Sequence, residues 1–220
     1  MNIFPEISGE VLNWDIIVMG HLKVNTYFGE SYDKPPRGDP STCTSVMIRG
    51  KDFDGSPYIL LIDPTLRLTA EDYYFDINRR TGLSGMEVTH CFCTHQHADH
   101  VMALEYFPRA KYLAAKPVAQ ILNEGASQRK FLGVEGEFLK GVYAVPLPGH
   151  TPGIHGAAFL HAGKKILVAG DAVMSKYHFE AGTTDFQNDP EYIKKAAETI
   201  QNMKESFDIV VPGHDNLIVI

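Results

Sequence analysis

The run Thr94-His95-Gln96-His97-Ala98-Asp99-His100 places four potential metal ligands within six residues, directly after the apolar stretch Val88–Cys93. In an extended turn, side chains two positions apart project to one side, so His95 and His97 can grip one ion. Asp99 and His100, where the chain begins to coil into a helix, can face a neighbouring second position. Imidazole and carboxylate together suit Zn²⁺, and also Fe or Mn, while the lack of a matching cysteine cluster removes a zinc-ribbon reading.

Three further segments share one build, an apolar strand run ending in Gly and then a ligand type: Val142–Gly149 before His150, Ile166–Gly170 before Asp171, and Ile209–Gly213 before His214. Each delivers a donor to a strand end, where layered α/β folds tend to place their sites. A set of seven ligands suits two divalent metal ions, with the Asp171 carboxylate able to bridge them through both oxygens. Ions about 3.5–4 Å apart share a bridging hydroxide whose parent water has its pKa lowered toward about 7. The plain alternative is seven hydrogen-bonded turn residues without metal. Five imidazoles and two carboxylates converging without a cation would cost several kcal/mol in repulsion and desolvation.

The elements that must position these donors read as alternating strands and helices. Apolar runs with β-branched and aromatic residues predict strands at Trp14–Met19, Ser45–Ile48, Tyr58–Ile62, Val88–Thr94, Lys111–Ala114, Val142–Leu147, Ala157–His161, Lys165–Ala169 and Asp208–Val211. Thr69 with Asp72 three residues on predicts a capping box opening a helix that Gly82 closes beyond Arg79 and Arg80. A second helix is expected over Asp99–Phe107, stopped by Pro108. A third follows Asp189 as N-cap with Pro190 at its first position, and presents Ile193, Ala196, Ala197, Ile200 and Met203 on one face. The longest irregular stretches, Phe28–Thr42 and Ser175–Asp189, are expected as loops bordering the site. Interleaved strands and helices with hairpin-like pairs over Val142–Ala169 suggest mixed sheets covered by helices.

Composition bounds the rest. The 220 residues, 44% hydrophobic and 21% charged, fit one globular domain spanning residues 1–220. No stretch approaches the roughly 20 apolar residues of a membrane span, and Met1–Glu10 lacks the pattern of a secretory signal, so a soluble cytoplasmic protein is expected. The three cysteines, Cys43, Cys91 and Cys93, imply no disulfide framework. A net charge of −7 offers phosphate backbones and anionic lipid no overall attraction, which points to a small-molecule substrate and away from nucleic acid and membrane.

His95-x-His97-x-Asp99-His100, with Pro148-Gly149-His150-Thr151-Pro152-Gly153, Gly170-Asp171-Ala172 and Pro212-Gly213-His214-Asp215, resembles the metallo-β-lactamase superfamily in both spacing and order. The resemblance runs from about Tyr58 to the end of the chain. It implies a four-layer αββα sandwich in which His95, His97 and His150 hold one metal, Asp99, His100 and His214 a second, and Asp171 bridges them. It also implies that Asp63 supports the ligand loop from behind. Asp99 would orient the hydroxide and shuttle a proton to the leaving group.

Departures narrow the subgroup. The β-lactamases usually carry Cys or Ser where Asp171 stands, and flavodiiron proteins carry Glu where His97 stands. Glyoxalase II enzymes add a C-terminal helical region, whereas this chain ends six residues after His214. Lactonases match at His150-Thr151-Pro152-Gly153, but their next histidine is Ile154 here, with His155 one place later. The resemblance thus implies a metal-dependent hydrolase of ester, lactone, thioester or related acyl substrates. Its rivals are a phosphodiesterase or ribonuclease on the same centre and a mononuclear iron persulfide-dioxygenase-like oxidoreductase. Tyr177 and His178 are candidates to bind a substrate oxygen, set against a plain solvated-loop role. His90, His155 and His161 read as hydrogen-bonded, partly buried side chains, and Cys91, Cys93, Tyr73, Tyr74 and Phe75 as core.

Overall fold

In β2 (Ser45–Lys51) Val46 and Ile48 pack on one face while Met47 packs on the other, the period of two that a strand imposes. The same alternation splits β4 (His90–Cys93), with Phe92 turned to one cluster and Cys91 and Cys93 to another. Strands apolar on both faces are covered on both faces, so the sheets they form must be inner layers. The computed structural model describes residues 4–25, 28–31, 33–34, 40–125, 129–183 and 190–220.

Among the described residues there are two six-stranded sheets. One has the order β1 (Asn13–Val18), β2, β3 (Pro57–Ile62), β4, β5 (Lys111–Ala115), β6 (Phe131–Val134). Its first three strands pair antiparallel and the rest parallel. The other has the order β12 (Ile218–Val219), β11 (Ile209–Pro212), β10 (Lys164–Gly170), β9 (His155–His161), β8 (Val142–Pro146), β7 (Gly136–Leu139). In it only β10 and β11 pair in parallel.

Three cores follow from the layering. Val46, Ile48, Leu60, Ile62 and Phe92 of the first sheet meet Val142, Ala157, Phe159, Ile166, Val168 and Val211 of the second. Outside the first sheet lie Tyr73 and Ile77 of α1 (Ala70–Thr81) and Val118 and Ala119 of α3 (Lys116–Glu124). Outside the second lie Phe179 of α4 (Lys176–Ala181) and Ile200 and Met203 of α5 (Pro190–Ser206). Each fully buried large apolar side chain contributes about 1.5–3 kcal/mol. The architecture is the expected four-layer αββα sandwich with two mixed sheets.

Local chemistry sets the boundaries. The capping box at α1 forms in full: the Asp72 amide donates to Thr69 Oγ1 and the Thr69 amide donates to Asp72, while Gly82 closes the helix at φ 74. The expected helix over Asp99–Phe107 is instead a four-residue α-helix, α2 (Ala98–Val101), running into a 3₁₀ turn over Met102–Tyr106. Tyr112 directs its hydroxyl at the Leu104 and Phe107 carbonyls there, and Pro108, without an amide hydrogen, could not serve the Leu104 carbonyl in an α-helix. The expected loop Ser175–Asp189 contains α4, closed by Gly182. Residues 184–189, including the proposed N-cap Asp189, and residues 32 and 35–39 of the expected loop Phe28–Thr42 lie outside the described residues.

Two face assignments are corrected. Phe75 is 62% exposed while Tyr73 is buried, because residues two apart on a helix lie about 200° around its axis and cannot share one face. On α5 the buried stripe is Ala196, Thr199, Ile200 and Met203, and Ile193 and Ala197 lie outside it. Thr199 joins that stripe because its hydroxyl donates to the Pro148 carbonyl at 2.7 Å.

Candidate metal centre

Strand direction explains why distant donors meet. β8 runs antiparallel to β9 and β9 antiparallel to β10, so β8, β10 and β11 all end on one edge of their sheet. His150, Asp171 and His214 follow those three ends. In the other sheet β3 and β4 are parallel, which puts Asp63 beside the Thr94–His100 turn.

The seven candidate ligands converge in two groups. His95, His97, His150 and Asp171 offer donor atoms within 4.8 Å of one another, and so do Asp99, His100 and His214. Asp171 Oδ2 lies 3.5 Å from His150 Nε2 and 3.7 Å from His95 Nε2. Its Oδ1 lies 3.2 Å from both His100 Nε2 and His214 Nε2. His97 Nδ1 is 3.1 Å from His150 Nε2, and His214 Nε2 is 3.6 Å from Asp99 Oδ2. His95, His100, His150, Asp171 and His214 are buried, Asp99 is half-buried and His97 is exposed. Gly213 permits the approach, since a Cβ there would overlap Asp171 Oδ1.

Three of the ring nitrogens turned away from the centre have partners of their own. His100 Nδ1 bonds Asp63 Oδ2 at 2.9 Å, His95 Nδ1 lies 3.1 Å from Thr94 Oγ1, and His214 Nδ1 lies 3.0 Å from the Thr42 carbonyl. Asp63 also accepts from the Thr94 amide and hydroxyl. By contrast, His95 Nε2, His100 Nε2 and Asp171 Oδ1 are buried and make no hydrogen bond of acceptable geometry among the described residues. Buried polar atoms without such partners are costly. A cation among them would satisfy all three, so the residues present fit divalent metal.

Electrostatics separates the two groups. Burial pulls His150 down to about 4 and holds His95 and His97 below the usual imidazole value. Burial opposes the charging of His100, yet Cys43, Asp171 and Asp63 beside it raise its pKa. His214 is raised against its own burial by Asp171. For Asp171 burial alone would raise the carboxyl, but His214 and His100 hold it well below the carboxylate range.

Around the centre, His21, Phe28, Glu30, Tyr177 and His214 line a cavity of about 360 Å³. The Phe28 and Tyr177 rings meet edge to face at 4.6 Å. A second cavity of about 470 Å³, lined by Pro40, Leu66 and Leu68, shares His21 with the first. His178 is fully buried, with Nδ1 2.7 Å from Ser175 Oγ, and does not line the His214 cavity. His90, His155 and His161 hydrogen-bond Thr89, Gly153 and Val11 respectively. Sequence reasoning missed His21, Thr42 and Cys43. The Cys43 sulfur reaches the Asp99 carbonyl at 3.1 Å, and burial pushes its thiol up to about 11.

An N-acyl homoserine lactonase from Bacillus sp is 30% identical over 165 residues, covering 68% of this chain and 64% of that protein. The chain spans 64% and 47% of the length of the two curated relatives it matches. Among solved structures, a B. thuringiensis AiiA variant with N-decanoyl-L-homoserine bound at its active site superposes with TM-score 0.68 at 16% identity, covering 94% of each chain. A quorum-quenching N-acyl homoserine lactone lactonase superposes with TM-score 0.69 at 18% identity, covering 94% of this chain and 93% of that one. The family profile itself matches residues 38–214, a span that holds all seven converging side chains, and on that match the chain belongs to the metallo-beta-lactamase superfamily.

Proposed function

We propose that the chain is a metal-dependent hydrolase, working as one domain over residues 1–220 on a carboxylic ester, lactone, thioester or related acyl substrate. The reading includes two divalent ions, Zn²⁺ in preference to Fe or Mn. One observation carries it: Asp171 stands between the two groups, with Oδ2 facing His95 and His150, Oδ1 facing His100, and His214 Nε2 within 3.3 Å of both oxygens. Ions held there would supply Lewis acidity and a bridging hydroxide formed near neutral pH.

The chain's own residues supply the rest. Asp99, whose side chain is 25% exposed where the other carboxylate is buried, is placed to orient the nucleophile and to pass a proton to the leaving group. Tyr177 stands in the cavity with His214, where its hydroxyl can donate to a substrate oxygen. The neighbouring apolar cavity, with Leu66 and Leu68, suits an apolar portion of a small substrate. The lactonase relative favours a lactone over the other acyl classes. No described helix is long and apolar enough to cross a membrane. The three free buried cysteines support a reducing, cytoplasmic setting.

Elemental analysis of protein purified without added metal, run beside turnover assays on an acyl homoserine lactone, a thioester and a bis-aryl phosphodiester, tests the reading. Two zinc per chain with lactone or thioester turnover is expected. Phosphodiester turnover alone, or one iron with oxygen uptake on a persulfide, overturns it. Asp99→Asn, assayed with Zn²⁺ in excess so that both positions are filled, should lose turnover by about 10²–10⁴-fold, the contribution of a positioned proton-transfer group. Near-full turnover of that variant removes the assigned role.

A further inference from the structure

We infer that the segment Thr42–Thr44 is a strap that positions the second ligand group, with the Cys43 thiol as its central donor; the inference rests on the two-ion reading above. The segment leads into β2, and three successive residues make three separate grips. The Thr42 carbonyl lies 3.0 Å from His214 Nδ1. Cys43 Sγ donates toward the Asp99 carbonyl at 3.1 Å, with the Asp63 carbonyl at 3.3 Å. Thr44 Oγ1 donates to the Asp215 carbonyl at 2.8 Å, and the Thr44 amide donates to the Gly213 carbonyl. The strap thereby ties the Asp99–His100 turn, which hangs from β4 in the first sheet, to the His214 turn, which hangs from β11 in the second.

The strap is itself anchored. The Cys43 amide donates to Thr65 Oγ1 at 2.8 Å, and His21 and Thr42 exchange backbone hydrogen bonds. Cys43 is fully buried and is not among the converging donor atoms; it grips the backbone that carries them at the Asp99 and Asp63 carbonyls and stands beside the His100 side chain. A single S–H serves one acceptor at a time, and the nearer Asp99 carbonyl takes the larger share. That carbonyl belongs to a four-residue helix, too short to supply its own partners for the last carbonyls. Removing the donor leaves the turn free to relax, and the donor atoms of Asp99 and His100 shift relative to His214. Cys93 Sγ, 3.7 Å from the His100 carbonyl, marks the next carbonyl along and is too far to replace it.

The test uses the full chain as wild type, Cys43→Ala, Cys43→Ser and Thr44→Val, stripped of metal and titrated with Zn²⁺ against a chelating indicator, with a thermal melt of each. Wild type should take up two ions. Cys43→Ala should bind the first ion nearly as wild type and the second about 10–100-fold more weakly, the size of effect seen when a ligand's supporting partner is lost. Cys43→Ser, which keeps a donor, should restore most of that loss, and Thr44→Val should weaken the same ion. Should Cys43→Ala fail to fold, the Ser and Val variants carry the comparison. Equal affinity for both ions in Cys43→Ala, equal weakening of both, or a Ser variant that melts normally yet binds as poorly as Ala overturns the strap. A wild type that takes up only one ion sinks the two-ion reading instead, and does so without any substitution.

Discussion

Asp63 holds the ligand turn from an uncommon backbone conformation, φ 47, rarely adopted by a residue other than glycine. It accepts from the Thr94 amide at 2.8 Å, the Thr94 hydroxyl at 2.7 Å and His100 Nδ1 at 2.9 Å. Asp63→Asn keeps the shape but replaces one acceptor oxygen by a donor, so metal affinity should fall about 10–100-fold while the fold survives. Equilibrium dialysis checks this. A second expectation concerns pH. His150, at about 4, and His95 and His97, also lowered, stay neutral and able to bind metal as acid is added. His100 and His214 are raised, so protons claim them at higher pH. On the two-ion reading the Asp99–His100–His214 group should therefore release its ion first on acidification from neutral, leaving a one-metal protein as the intermediate; metal content against pH reads the order. The seven donors were legible because each follows a recognisable local run. Cys43 and Thr42 were not, since their partners lie 56 and 172 residues away and no local pattern encodes such pairings.

The turn carrying His150 is wedged against a helix. A Cβ at Gly149 would strike Ala196, a buried residue of α5, and Thr199 one turn on binds the Pro148 carbonyl. Ala196→Leu should cost about 1–3 kcal/mol through overpacking, and should also lower occupancy of the His95–His97–His150 group, because the displaced turn carries one of its donors. A melt alongside metal analysis separates the two effects. Elements were legible where a period was long enough to read: α1 had its capping box, α5 its Pro190, and the strands their alternation. The sequence reading passed over α3, whose Pro117 near the start was an available signal, and α4, whose Ser175 makes no cap bond because its hydroxyl pairs with His178. It also passed over β6 and β7, four residues each with a glycine in each, and β12, only two residues long. These short strands owe their pairing to neighbours rather than to their own pattern.

At the scale of the molecule, ions that bind the folded chain and not the unfolded one add stability by mass action, about 2.7 kcal/mol at a hundredfold excess over the dissociation constant. Chelation should accordingly lower the melting temperature by about 5–10 °C for a chain of this size, and adding Zn²⁺ back should restore it. The sandwich class was legible because strands interleaved with helices, with hairpin-like pairs over Val142–Ala169, point to mixed sheets under helices, and the ligand motifs resemble a family with that four-layer fold. The order of strands within each sheet was not, because pairing partners are chosen by contacts between distant segments. The two sheets are successive in the chain, β1 to β6 and then β7 to β12, and each ligand group borrows from both. A nascent polypeptide that has emerged only as far as its histidine-rich turn thus owns half of every socket. Loading must wait for the later sheet to dock, so the metal can act as a checkpoint on completed assembly and is in no position to template it.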